Sequence, residues 1–282
     1  MNLRCGQFVL DLRRVAVMGV LNVTPDSFSD GGHYFDHELA LHRAHEMVAE
    51  GAAIIDVGGE STRPGAAQVP ESEEARRVLP IIESLAPELD VPISVDTRKT
   101  HVARRAVAAG AAMINDTGGE DAIEDLTPAA VASGSGGPAV VVMHSRGTPE
   151  TMTSLTAYDD LVGEIGSYLA RRAENLQAAG VGPDRIVLDP GIGFAKTAGQ
   201  SLELLKRVGE LAGPGFPLLA GTSRKSFIGA VLDVPADRRV AGTAATVAWA
   251  VAHGVHIVRV HDVAAMTQVV RMTEAIKSGA EF

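Results

Sequence analysis

The sequence predicts an α/β fold, a (β/α)8 TIM barrel with a short N-terminal β-hairpin, on three observations. Eight short apolar runs recur along the chain: Val15–Leu21, Ala53–Val57, Pro92–Val95, Ala111–Ile114, Ala139–Met143, Arg185–Leu188, Pro217–Ala220 and His256–Val260. Helical stretches that stop at glycine alternate with these runs. Nearly every run closes on a charged or amide residue. Runs this short and apolar read as strands buried on both faces, as in a parallel sheet covered by helices. Eight such units in 282 residues suit a barrel, whose usual size is about 250 residues. A doubly wound open sheet is the rival, but it gathers its site at one switch point, whereas these polar ends are spread evenly.

In chain order, residues 1–12 alternate through Phe8-Val9-Leu10 and predict a small hairpin plugging the bottom of the barrel. The first run closes on Asn22 and leads into a polar loop, Thr24–His33, then a helix over 36–50 with Asp36 as its N-cap. The second closes on Asp56 before the loop Gly58–Pro70, and the third on Asp96 before a helix over 98–109. The fourth closes on Asn115 with Asp116, and the glycine-rich Ser133–Pro138 is a flexible connector. The fifth closes on His144, followed by the loop Ser145–Thr156 and a helix over 158–179. Asp189 closes the sixth, Ser223-Arg224-Lys225 the seventh, and Arg259 with His261 the eighth, after a helix over 240–253. Gly51, Gly110, Gly180 and Gly254 stand just past helices, where a left-handed residue turns the chain into the next strand. Long loops after barrel strands lie on the catalytic face. Composition shows no shift, so residues 1–282 read as a single domain.

A formal charge of −10 argues against nucleic acid or an anionic membrane as partner, while a local cationic cluster still admits an anionic small ligand. Cys5 alone offers no disulfide framework and fits a reducing cytosol. The N-terminus lacks the apolar core of a signal peptide, and no apolar stretch approaches the roughly 20 residues that span a bilayer. A cytoplasmic location is expected. Gly191-Ile192-Gly193 follows a strand, but Lys196 stands where a dinucleotide fingerprint needs glycine. There is no Walker A string and no GxSxG elbow. His42 and His45 read as a solvated face, and Trp249 with Ala244–Ala252 as core or subunit contact.

Asp96, Asn115, Asp189 and Lys225 converge from four different strands of such a barrel. Two carboxylates, an amide and an ammonium satisfy a planar heterocycle carrying an amino group, ring N–H groups and a carbonyl. The competing reading, helix capping, accounts for one such residue more readily than for four. Arg63, Arg224, Lys225, Arg259 and His261 form a cationic group suited to a phosphorylated ligand, unless they pair with Asp262, Asp56 or Glu60. The Asn22 oxygen is a hard ligand suited to Mg²⁺ that already carries phosphate oxygens and water.

Taken in order, these segments resemble the dihydropteroate synthase family over essentially the whole chain. The matching strings are VMGVLNVTPDSFSDGG at 17–32, DVGGESTRPG at 56–65, SVDT at 94–97, IND at 114–116, VMH at 142–144, LDPGIGFAKT at 188–197, GTSRKSFIG at 221–229 and VRVHDV at 258–263. One local departure is DTGGE at 116–120, where a turn richer in serine or valine is expected. The resemblance implies condensation of 6-hydroxymethyl-7,8-dihydropterin pyrophosphate with para-aminobenzoate. It implies that Asp96, Asn115, Asp189 and Lys225 hold the pterin, and that Asn22, Arg63, Arg259 and His261 meet pyrophosphate, with Mg²⁺ on Asn22. Phe28, Thr62, Pro64, Phe194, Ser223 and Arg224 are then expected to frame the aminobenzoate, and Asp30 to help close the first loop over the site. Sulfonamides, as aminobenzoate mimics, are expected inhibitors, and a homodimer is the expected assembly. Two rivals remain at this stage: a methyltetrahydrofolate-binding domain of corrinoid methyl transfer, and a non-catalytic paralogue that binds pterin without turnover.

Overall fold

The computed structural model describes residues 1–24, 33–63, 65–120, 125–131, 136–211 and 215–279. The chain opens with the expected hairpin, β1 (Asn2–Cys5) antiparallel to β2 (Phe8–Asp11). Eight parallel strands follow: β3 (Ala16–Asn22), β4 (Ile54–Gly58), β5 (Ile93–Thr97), β6 (Met113–Asp116), β7 (Ala139–Met143), β8 (Ile186–Asp189), β9 (Leu219–Ala220) and β10 (Ile257–Val260). Their order is β8-β7-β6-β5-β4-β3-β10-β9. The Leu188 N–H donates to the Pro217 carbonyl at 2.9 Å, beside a parallel bridge from Leu188 to Leu218, which joins β8 to β9 and closes the barrel.

The helices are α1 (His33–Ala49), α2 (Glu71–Leu85), α3 (Thr100–Ala108), α4 (Thr127–Val131), α5 (Leu161–Ala178), α6 (Ala198–Lys206), α7 (Ser226–Leu232), α8 (Val240–Ala252) and α9 (Val263–Ser278). Helix α1 begins three residues before Asp36, which therefore lies inside it instead of capping it. Aspartate is favoured both at the cap and in the first turn, so residue type alone cannot separate the two. Helix α5 starts later than expected, at the cap Asp160, whose Oδ1 accepts the Gly163 N–H at 3.2 Å. The expected left-handed glycines are present; Gly110, for one, has φ +114°. Residues 133–135 of the Ser133–Pro138 connector, and Pro25–Gly32 of the first loop, lie outside the described residues. Among the described residues, no helix is long and apolar enough to cross a membrane.

Period two divides most barrel strands between two cores. Ile55, Val57, Ile114, Val142, Leu188 and Val258 pack in the layer shared with the helices. Met18, Ile54, Met113, Val141, Val187 and Ile257 pack inside the barrel with Leu3, Cys5 and Leu12 of the plug. Two residues beyond Ile54, Met113, Val187 and Ile257, on the same inward parity, stand Asp56, Asn115, Asp189 and Arg259. The interior is thus apolar at the bottom and polar at the top.

Candidate active site

Asn22, Thr62, Arg63, Asp96, Asn115, Asp189, Phe194, Ser223, Arg224, Lys225, Arg259 and His261 all line one cavity of about 700 Å³ at the C-terminal ends of the strands. Phe28, Asp30 and Pro64 lie outside the described residues.

The floor is an ionic lattice. The Arg259 Nε donates to Asp56 Oδ2 and its Nη2 to Asp96 Oδ2, both at 2.6 Å. Asn115 Nδ2 donates to the same Asp56 oxygen at 3.1 Å, and Thr117 Oγ1 donates to Asp96 Oδ1 at 3.2 Å. Burial pushes Asp96 up to about 7 against the pull of Arg259, and pushes Asp189 upward too. Burial opposes the Arg259 charge, but Asp56 and Asp96 outweigh it and hold its proton more tightly than usual. Asp189 accepts the Gly191 N–H at 2.7 Å. Asn115 Oδ1 and Asp56 Oδ1 are buried and find no hydrogen-bond partner among the described residues. A buried acceptor without a partner costs about 1–3 kcal/mol, so a ligand bringing N–H groups to this floor recovers that loss.

One wall carries Lys225, whose Nζ stands 3.6 Å over the Phe194 ring. Burial, then Arg259, brings its ammonium down to about 7. Its stem passes Gly193, where a Cβ would lie 3.2 Å from Lys225 Cδ. Gly191, at φ +64°, is needed more strictly, because a Cβ there would fall 1.9 Å from the His144 carbonyl oxygen. The glycines of this motif therefore serve close packing of the turn that presents Phe194.

At the rim, His261 Nδ1 lies 3.0 Å from Ser223 Oγ, which also accepts the His261 main-chain N–H at 3.2 Å. Burial, then Arg259 and Arg224, holds the imidazole down to about 3, so it is neutral at pH 7. Arg224 pairs with Asp262 at 2.5 Å, and Arg259 with Asp56 and Asp96, so the alternative pairing foreseen from sequence is realised for these two. Arg63 is exposed and finds no carboxylate among the described residues. Asn22 Oδ1 stands at the end of β3, and no cluster of His, Cys, Asp or Glu able to hold a metal occurs among the described residues. One neutral amide oxygen fits Mg²⁺ that brings its other ligands with it; it does not build an all-protein cage.

Two expected members of the polar ring turn the other way. Asp116 follows inward Asn115 and so points outward, to Arg172 at 3.4 Å. His144 follows inward Met143 and packs edge-on to Tyr168, with Lys196 Nζ 3.1 Å from its Nδ1. Conversely, Thr117, Met143, Ile192, Ser226 and Arg239 line the cavity without having been singled out, and Asp56 anchors its floor. Strand parity, counted from Val141, would have found Met143.

Fold and site together define a closed (β/α)8-barrel protein whose catalytic face carries a polar cup sized for a heterocycle beneath a cationic rim. The profile of the pterin binding enzyme family matches residues 18–261. The chain is 50% identical to the dihydropteroate synthase of Synechocystis sp. over 273 residues, covering 96% of this chain and 93% of that relative. A crystal structure of Yersinia pestis dihydropteroate synthase in a sulfonamide complex superposes with TM-score 0.91 at 43% identity, covering 99% of this chain and 100% of that one. The Burkholderia cenocepacia dihydropteroate synthase complexed with 7,8-dihydropteroate gives 0.88 at 42%, covering 99% and 97%. The chain belongs to the pterin-binding enzyme family, and within it to the dihydropteroate synthases, which are transferases.

Proposed function

We propose that this cup holds the pterin of 6-hydroxymethyl-7,8-dihydropterin pyrophosphate and that para-aminobenzoate attacks above it, giving 7,8-dihydropteroate and pyrophosphate. The observation that carries the reading is the convergence of Asp96, Asn115, Asp189 and Lys225 on one cavity, with the buried Asn115 Oδ1 unpaired among the described residues. The aminopyrimidinone edge supplies an N–H group to Asn115 Oδ1 and shares the Asp96 and Asp189 carboxylates with their protein donors, and Lys225 donates to a ring nitrogen or oxygen. Arg63, the outer edge of Arg259 and neutral His261 face the pyrophosphate. If the Ser223 hydroxyl donates to His261 Nδ1, the proton sits on Nε2, which then donates to a phosphate oxygen. Thr62, Phe194, Ser223 and Arg224 frame the aminobenzoate, so sulfonamides are expected to compete there.

The reaction is read as dissociative. The methylene C–O bond breaks with its electron pair leaving on pyrophosphate, and the dihydropterin ring delocalises the resulting cation. Asp96 and Asp189 set carboxyl oxygens beside the ring, and positive charge developing there favours their ionised forms, which burial otherwise discourages. The aniline nitrogen then adds and releases its proton to solvent; it is nucleophilic enough without a strong base. Mg²⁺ arriving on the pyrophosphate would be held through Asn22 and would offset charge on the leaving group.

Homodimerisation belongs to the same proposal, supported by Val231, Leu232, Trp249, Met272 and Ile276, which are exposed apolar side chains on α7, α8 and α9. A cytoplasmic setting is supported by the single thiol, Cys5, buried and unpaired. The deciding assay mixes dihydropterin pyrophosphate, Mg²⁺ and para-aminobenzoate. Pyrophosphate release is expected, whereas pterin binding without release would favour the non-catalytic paralogue. Positional isotope exchange in labelled pyrophosphate substrate without net product is the signature of the dissociative step, and its complete absence would count against that step.

A further inference from the structure

The structure assigns to Arg239, a residue outside every string of the family resemblance, the task of holding Lys225 in place. Lys225 follows Arg224, whose φ of +58° is a left-handed conformation that a non-glycine residue keeps only where its surroundings hold it. Thr243 Oγ1 accepts the Arg224 N–H at 3.1 Å and Asp262 holds its side chain, while the carbonyl side is held by Arg239, at the end of the α7–α8 connection. Its Nη1 donates to the Arg224 carbonyl at 3.0 Å and more weakly to the Lys225 carbonyl at 3.4 Å, while its Nε donates to Val234 O at 3.1 Å. One planar cation thus ties three carbonyls of the segment that launches the Lys225 side chain over Phe194. Room for the guanidinium exists because residue 229 is glycine: a Cβ there would lie 2.2 Å from Arg239 Nη2 and 2.5 Å from its Cζ. The closing glycine of the string at 221–229 is therefore the seat of Arg239. Arg239 is a positioning residue, acting on the pterin through Lys225; this role rests on the pterin-site reading above.

Arg239→Met is expected to raise KM for dihydropterin pyrophosphate about tenfold, with kcat changed less than about threefold. Gly229→Ala should reproduce the effect, since the added methyl meets the movable end of the arginine. Arg239→Lys should recover part of it. In a Lys225→Ala background, Arg239→Met should add less than about twofold. A pterin KM unmoved by Arg239→Met would overturn the proposal, and so would an effect that multiplies in full with Lys225→Ala, which would mean direct substrate contact. If Arg239→Met does not fold, Gly229→Ala carries the test. Should the wild-type chain release no pyrophosphate, the catalytic reading fails on its own. Calorimetric binding of 6-hydroxymethylpterin to the same variants then decides the role of Arg239.

Discussion

At the bottom of the barrel, Met18, Ile54, Met113, Val187 and Ile257 close on Leu3 and Cys5 of the hairpin, all fully buried. Two residues along four of those strands, the interior becomes Asp56, Asn115, Asp189 and Arg259, with Asp56 Oδ1 and Asn115 Oδ1 unpaired among the described residues. The lower half spends its burial on packing, where each leucine-sized side chain contributes about 1.5–3 kcal/mol. The upper half retains desolvated charge that only a ligand fully satisfies. One set of strands can do both because eight-strand closure buries each inward position whatever its polarity.

The largest expected effect lies at Arg259. Arg259→Met strands Asp56 and Asp96 as buried carboxylates, and a loss of about 3–5 kcal/mol in urea unfolding is expected together with loss of pyrophosphate release. Unchanged stability would show that the lattice does not depend on this cation. Leu3→Ala tests the other half: about 2–5 kcal/mol of stability should go, while kcat/KM of the still-folded enzyme holds. A fall in kcat/KM would mean that the plug reaches the site. Lys225→Ala should invert that outcome, costing about 1.5–3 kcal/mol of pterin interaction, or about 10- to 150-fold in activity, with little change in the unfolding midpoint. Normal turnover would remove Lys225 from the pterin contacts.

Within any one pH unit, the smallest effect is in pH dependence. His261 is held at about 3 when folded, against an ordinary value of 6.5, so unfolding takes up a proton between those limits. The stability it contributes is complete above pH 6.5 and is lost as pH falls toward about 3. His261→Asn should therefore lose less stability on acidification, the gap from wild type growing by at most about 1.4 kcal/mol per pH unit in that window. Parallel unfolding curves for the two proteins would rule out a neutral, buried imidazole.

Much of the cup was legible because its residues sit at strand ends, where apolar runs stop and a polar residue stands out. Asp96, Asn115 and Asp189 carry that signal, and Lys225 carries it through the following turn. Asp116 and His144 carry the same signal, yet each faces outward, because a strand end names two adjacent residues and the pleat admits only one. The salt-bridge partners were on offer in the sequence only as an alternative to phosphate. Arg259 and Asp56 are 203 residues apart, and no local pattern tells a cation that waits for phosphate from one already bound to carboxylates. Arg239 had no signal at all, since its partners are carbonyl groups and its space is a glycine ten residues away.

Alternation of buried runs, glycine-ended helices and polar closures determined by itself the barrel, the plug and most of the cup, because backbone period and burial act locally. Which carboxylate faces which cation, which strand-end residue turns inward and what steadies Lys225 were decided only by closure of the barrel. Closure brings together groups whose chain separation carries no information about their distance.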